Sequence, residues 1–206
     1  MAVNKFASHY MLAPDGTFVK WPVVAIDDSG EVQDVYSHMG NFREEPGVRF
    51  FSGLMVPAFI DWITGDDFFQ KELSRFLNRH FTRGSLYLLS PFIPEEIKEN
   101  QNRLPRVLDS GGFDEDPASF LKQTGEQGVP LFDRIIARSQ SSNQVDLSQV
   151  LFKATSYSAE QAGLSKAGRL APGFVPGLVL IQNLDLANLR LYPNSSIKWL
   201  NVPDLA

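Results

Sequence analysis

The chain contains no cysteine. Disulfides, thiolate metal sites and cysteine nucleophiles are therefore excluded. Histidine is scarce as well: His9, His38 and His80 are the three, and no two fall within the short spacing of a metal-binding pair. Positive charge is not in excess. The formal net charge is −5 and the acidic residues are scattered, so no basic surface for a nucleic-acid backbone is expected. No stretch approaches the roughly 20 apolar residues that a membrane-spanning helix requires. Residues 1–8 carry neither a cationic start nor a long apolar run, and no signal peptide is read there. There is no Gly-x-Ser-x-Gly nucleophile elbow, and no glycine-rich phosphate loop ending in Lys-Ser/Thr. These absences predict a soluble, cytoplasmic protein with no cofactor and with neither nucleic acid nor membrane as a partner.

What is present suits one full domain, or one domain with a lobe: 206 residues, 43% of them hydrophobic, with sixteen Phe as bulky core material. The first 60 residues read as strands and tight turns. Phe6 to Leu12, Val23 to Ile26, Val32 to Tyr36 and Val48 to Val56 are apolar or alternating, and Asp15-Gly16 and Ser29-Gly30 are turn signals between them. Gly53 inside the last of these runs marks a bulge or a close backbone approach. Residues 41–47 are polar, carry Pro46 and read as a loop. From Asp66 the period becomes helical. Phe69, Leu73, Phe76, Leu77 and His80 share one face, with Asp66 as N-cap and Gly84 as the stop. Leu86 to Leu89 is a compact strand. Short helices are expected from Pro94 and from Asp116-Pro117, and residues 100–116 are read as a polar, Gly-rich loop. Pro130 opens a further helix with Leu131, Ile135 and Arg138 along one side. Asp146-Leu-Ser-Gln149 resembles a capping box and begins a helix that Gly163 ends. The tail returns to strands at Leu178 to Ile181 and Ser196 to Leu200. The order is thus strands, a helical middle, then strands, and terminal strands can share one sheet when the middle is an insertion.

One segment carries more information than the rest. Residues 57–65 read Pro-Ala-Phe-Ile-Asp-Trp-Ile-Thr-Gly, which resembles the Pro-Gly-Phe-Ile-Asp-x-His-x-His segment that opens the catalytic barrel of the amidohydrolase superfamily. The lead-in over residues 6–65 resembles that of cytosine-deaminase-like and aminodeoxyfutalosine-deaminase-like members. Over residues 147–200, the run Leu151-Phe-Lys-Ala-Thr155, Ala162-Gly-Leu164, Gly168-Arg-Leu-Ala-Pro-Gly173 and Pro176-Gly-Leu-Val-Leu-Ile181 resembles the last barrel helix, the turn after it and the returning strand. The resemblance implies a small β-sandwich built from both ends of the chain beside a metal-bearing (β/α)₈ barrel. Two departures bear on function. Ile63 and Gly65 stand where the two metal-binding histidines would be, and neither offers a lone pair. About 80 residues separate Gly65 from Leu147, against the ~250 of a full barrel and the ~30 of one βαβ unit.

The remaining candidates have plain structural uses. Asp61 matches the acidic position of the family segment, which the resemblance assigns to shaping the strand end; a capping or turn role is expected. Asp66 and Asp67 lie at a helix start, where carboxylates satisfy free N–H groups. His80 is expected at a core edge or helix end rather than on a metal, and His9 and His38 as surface or half-buried residues. Asp114-Glu115-Asp116 is an acidic loop better suited to capping than to holding Ca²⁺ or Mg²⁺. Ser139 to Ser142 reads as a solvated linker. Phe50, Phe51, Phe59, Trp62, Phe68 and Phe69 are expected to crowd the junction of the strand and helical parts, as a core or as a patch for a partner.

The expectation is an α+β fold. A β-sandwich composite domain is formed from residues 1–62 and 164–206, and residues 63–163 are a short, mainly helical insertion in place of the barrel. Function is read as a non-catalytic, metal-free amidohydrolase-like protein acting through contacts with a second copy or an amidohydrolase-like partner. The alternatives are a hydrolase of non-peptide C–N bonds with a rebuilt site, or a small-molecule binding module. The binding candidates are Asp61, Trp62, Asp67 and His80.

Overall fold

A computed structural model describes residues 2–38, 44–63, 72–93, 104–110, 128–141 and 146–205. The fold is mixed α/β and rich in sheet. Seven strands from the two ends of the chain form one sheet: β1 (Val3–Leu12), β2 (Phe18–Lys20), β3 (Pro22–Asp27), β4 (Val32–Ser37), β5 (Val48–Pro57), β9 (Leu178–Asp185) and β10 (Arg190–Asn201). Their order is β10-β9-β5-β1-β3-β4, with β2 beside β1. Between β5 and β9 the chain makes a second sheet of three parallel strands, β6 (Phe59–Trp62), β7 (Ser85–Ser90) and β8 (Arg106–Asp109), in that order. Helix α1 (Leu73–Thr82) connects β6 to β7, as parallel strands require a crossover. Helix α2 (Leu131–Ser141) and a continuous helical stretch follow. The latter runs through α3 (Leu147–Phe152), a π-helical segment Lys153–Tyr157 and α4 (Ser158–Gln161).

Period-two alternation sends the residues of β5 and β9 to two different cores. Leu54, Val56, Val179 and Ile181 belong to the main core, which also contains Phe59, Ile60, Trp62 and the apolar faces of α2 and α3. Met55, Leu178 and Leu180 point the other way and join Phe6, Val24, Ile26 and Val32. The sheet buries this second face by curling upon itself. Beyond β10, the Asp204 N–H donates to the Ser29 carbonyl in the β3–β4 turn at 3.2 Å. Gly30 in that turn lies so close to Pro203 that an added Cβ would sit 2.7 Å from its Cα. Because β3 is covered on both sides, all six of its residues are buried, and it reads as an apolar run rather than an alternating one.

The parallel strands sort their residues in the same way. Asp61, Leu88 and Val107 are in register on one face, while Trp62, Leu89 and Leu108 are in register on the other. Helix α1 packs on the first face: its Phe76 and Leu77 form a cluster with Ile63, Leu88 and Val107. The π-helical segment packs against β6, in a main core that holds Trp62 and Leu89. The helices are tied to the large sheet as well. The Trp199 indole N–H donates to the Phe81 carbonyl at 2.9 Å while the two rings stack, and the Gln140 amide donates to Leu191 O at 2.7 Å.

Several expectations are corrected. Residues 100–116 are not all loop, because Arg106–Asp109 form β8; this four-residue strand, with its alternation hidden by Arg106 and Asp109, is too short to show a period. The strand at the chain's end runs over Arg190–Asn201, well before Ser196. Helix α1 is described from Leu73 with Glu72 before it; the expected start at Asp66 and the short helices expected from Pro94 and Asp116 lie outside the described residues. The expected capping box is a simpler cap: Asp146 accepts from the backbone N–H and hydroxyl of Ser148. The six aromatic residues do not gather at one junction. Phe59 and Trp62 are in the main core, Phe50 is exposed beside His9 and Trp21, Phe51 packs against the second core, and Phe68 and Phe69 lie outside the described residues.

Gly53 lies where the pairing of β1 with β5 slips between Ser8 and Tyr10. Its φ is +150°, and a Cβ there would come within 2.3 Å of the Ile181 carbonyl oxygen of β9. The Gly53→Ala variant is expected to lose about 1–3 kcal/mol of stability, the range for a residue forced into such a conformation, as read from urea unfolding; an unchanged midpoint would mean that β5 and β9 do not approach this closely.

Candidate functional site

Asp61 is a carboxylate with no exposed surface. Its place in β6 puts it among apolar neighbours with no access to water. A carboxylate there must find partners or give up its charge. It finds three. The Arg134 guanidinium of α2 forms an ion pair with Oδ1, His80 Nδ1 of α1 lies 2.8 Å from Oδ2, and the Leu131 backbone N–H at the start of α2 donates to Oδ2 at 3.0 Å. Asp61 is thus a helix cap, but for a helix that begins 70 residues later. It also receives the partial positive charge of that helix N-terminus.

Burial works most strongly against ionisation of Asp61. The Arg134 charge, then the His80 hydrogen bond and finally the Leu131 N–H together outweigh it and hold the carboxyl below its ordinary value. An ionised carboxylate only accepts, so His80 donates from Nδ1. The other ring nitrogen of His80, Nε2, is buried and has no hydrogen-bond partner among the described residues, and neither has Arg134 Nε. The imidazole packs against Phe76, ring centroids 4.4 Å apart. A second, more exposed link joins the same two helices: Arg83, just past α1, donates from Nε to Asp133 of α2 at 2.7 Å, with its guanidinium over the Phe132 ring.

This arrangement was only partly visible in the residues. Asp61 and His80 were singled out, and the structure brings them together. Trp62 is on the opposite face of β6, in the main core. Asp67 lies outside the described residues. Arg134 was missed, and Arg138, expected on the inner side of the helix, is only half-buried. The signal was nonetheless present: Leu131, Arg134 and Ile135 fall at i, i+3 and i+4, so Arg134 is a cation on an apolar stripe. His9 accepts a hydrogen bond from the Gly53 N–H at 3.3 Å and packs against Trp21 and Phe50, and burial lowers its pKa. His38 lies 3.9 Å from Glu45. The acidic residues 114–116 lie outside the described residues.

The end of β6 can be tested for a divalent metal on its own donors. The Ile63 side chain is 6% exposed and packs into the apolar cluster of Phe76, Leu77 and Leu88, and both oxygens of Asp61 are engaged. Gly65 lies outside the described residues. Among the described residues no three His, Asp or Glu side chains come together as a possible metal site. The donor set here does not fit a metal ion.

No protein-family model matches the sequence, and no curated protein matches it. Solved structures do. The chain is similar in fold to an amidohydrolase, with a TM-score of 0.60, 9% identity and coverage of 100% of both chains. It is similar to the guanine deaminase of E. coli, with a TM-score of 0.53, 10% identity and coverage of 88% of this chain and 89% of that one. A prolidase crystallised with N-methylphosphonate-L-proline matches over 53% of this chain at 15% identity and a TM-score of 0.38, and the chain spans 32% of its length. At these identities the likeness is one of fold: the chain has an amidohydrolase-like architecture.

Removing the Asp61 charge leaves Arg134 buried without its counter-ion. The Asp61→Asn variant is expected to lose about 3–5 kcal/mol, measured by urea unfolding at neutral pH. Because the folded carboxyl titrates below its unfolded value, the stability it contributes is present above the unfolded value, near pH 4, and is lost as pH falls through the folded one. The gap between wild type and Asp61→Asn should be constant above about pH 5 and shrink in more acidic buffer. A gap that widens on acidification would show that Asp61 is not ionised in the folded protein.

Proposed function

We propose that this chain is a metal-free, amidohydrolase-like protein that does not hydrolyse substrates by the metal chemistry of that architecture and acts through contacts with a second copy or with an amidohydrolase-like partner. The single observation that carries this reading is the closure of the β6 end. The strand position resembling the family's metal pair is filled by Ile63, packed into apolar side chains, and the neighbouring carboxylate is committed to Arg134, His80 and the start of α2. A catalytic metal would have to displace a buried ion pair, which leaves an uncompensated guanidinium. The three parallel strands are read here as what is retained of a barrel, and the finer likeness to cytosine-deaminase-like members belongs to the same reading. A contact role is supported by β8, an outer strand of the small sheet among the described residues, since outer strands offer backbone donors and acceptors to another chain.

The test is metal content and solution mass on the same sample. Less than about 0.1 equivalent of Zn, Fe, Mn or Ni is expected after exposure to each metal and desalting, as for a site without N, O or S ligands, together with a species of at least twice 23.0 kDa alone or with an added amidohydrolase. Stoichiometric metal would overturn the first half, and a strict monomer that binds no such partner the second.

One observation favours a second reading, a C–N hydrolase with a rebuilt site. Asp61 holds His80 through Nδ1, and Nε2 has no partner among the described residues, the orientation that makes an imidazole a base in carboxylate–histidine pairs. On this reading the protein turns over a panel of amides, cyclic amidines and aminopurines, and His80→Gln lowers kcat by about 10²-fold or more, the scale of a lost general base, while Asp67→Ala also reduces turnover. No turnover by the wild type removes it.

A further inference from the structure

Among the described residues, the curled face of the large sheet, opposite the helices, does not close completely over its core. Met11 and Leu170 are buried members of that core, and Val19 and Val35 pack against it half-buried. These four side chains line a pocket of about 360 Å³ open to the surface between the end of β1, β2, β4 and residues 170–172. We propose that this pocket binds a neutral, apolar small molecule, aliphatic or aromatic.

Three observations specify the occupant. First, none of the lining side chains is charged. An ion would lose its hydration there without gaining a counter-charge, so charge complementarity selects a neutral ligand. Second, the polar groups are few. Ser37 offers a hydroxyl, whereas the Tyr36 hydroxyl already donates to Glu45 Oε2 at 2.6 Å. Third, the size is right. Ligand pockets begin near 300 Å³ and recur at the mouths of curled sheets, and a dry apolar cavity of roughly 150 Å³ already holds benzene. An occupant would cover Val19 and Val35 and extend the second core. The site lies on the other face of the sheet from Asp61 and is independent of the function proposed above.

The probe is N-phenyl-1-naphthylamine, a neutral apolar fluorophore, titrated into the whole protein. Emission is expected to saturate as for one site, and 1-octanol is expected to displace the probe at lower concentration than octanoate. Ala171→Phe, which fills the pocket, and Ser37→Asp, which places a charge at its mouth, should each weaken binding by about tenfold or more without lowering the melting temperature. Nuclear Overhauser contacts from the probe should reach the methyl groups of Val19 and Val35, and this measurement decides the matter if either variant does not fold. Emission that never saturates, contacts confined to another part of the protein, or folded variants that bind like wild type would each overturn the proposal.

Discussion

A single buried charge sets the arrangement of the middle of this protein. Asp61 cannot remain ionised in the core unless donors come to it, and the donors belong to two helices that are far apart in the chain. Satisfying one carboxylate therefore fixes where α1 and the start of α2 meet beside β6. The ion pair of Arg83 with Asp133 repeats the link between the two helices at the margin, and the stacking of Phe59 on Phe132 ties α2 to β6 within the core. Apolar packing alone would tolerate some sliding of these helices. A guanidinium, an imidazole and a backbone N–H converging on two oxygens would not, because each lost bond leaves a buried polar group unpaired.

The same cluster bears on function. A strand end that points acidic and basic side chains toward a reacting centre must leave them short of partners, whereas at β6 they are spent on one another. Ile63 completes the closure by joining the side chains under α1. The fold resembles that of amidohydrolases, and in it Asp61 ties two helices to the small sheet. Among the described residues His80 Nε2 and Arg134 Nε are the exceptions, both buried, and the imidazole packs against Phe76.

Much of the large sheet was legible in the residues. Alternation in β4, the apolar runs of β1, β3 and β5, and the Gly-containing turns located these strands to within a few residues, because period-two patterning and turn chemistry are local properties. Gly53 was readable as a close approach, although the carbonyl it admits, that of Ile181, was not. The helical face ending in His80 was legible for the same local reason. β8 was not, since four residues with charges at both ends do not establish a period. The dispersal of Phe50, Phe51, Phe59 and Trp62 over two cores and the surface was not legible either. Neighbours in sequence on a strand point to opposite sides, and which side is inside depends on what the other elements cover.

The amino-acid sequence alone determined that this is a cysteine-free, strand–helix–strand chain, with Ile63 and Gly65 in a segment that resembles the opening of amidohydrolase barrels. Those statements follow from residue identity and short-range spacing. Only the tertiary structure decided that Asp61 caps a helix distant in the chain, that Arg134 rather than Arg138 is the buried cation, and that the terminal strands curl into one sheet enclosing a second core. Each of these depends on contacts between residues tens of positions apart, whose geometry is set by how whole elements pack rather than by the propensities of the residues that meet.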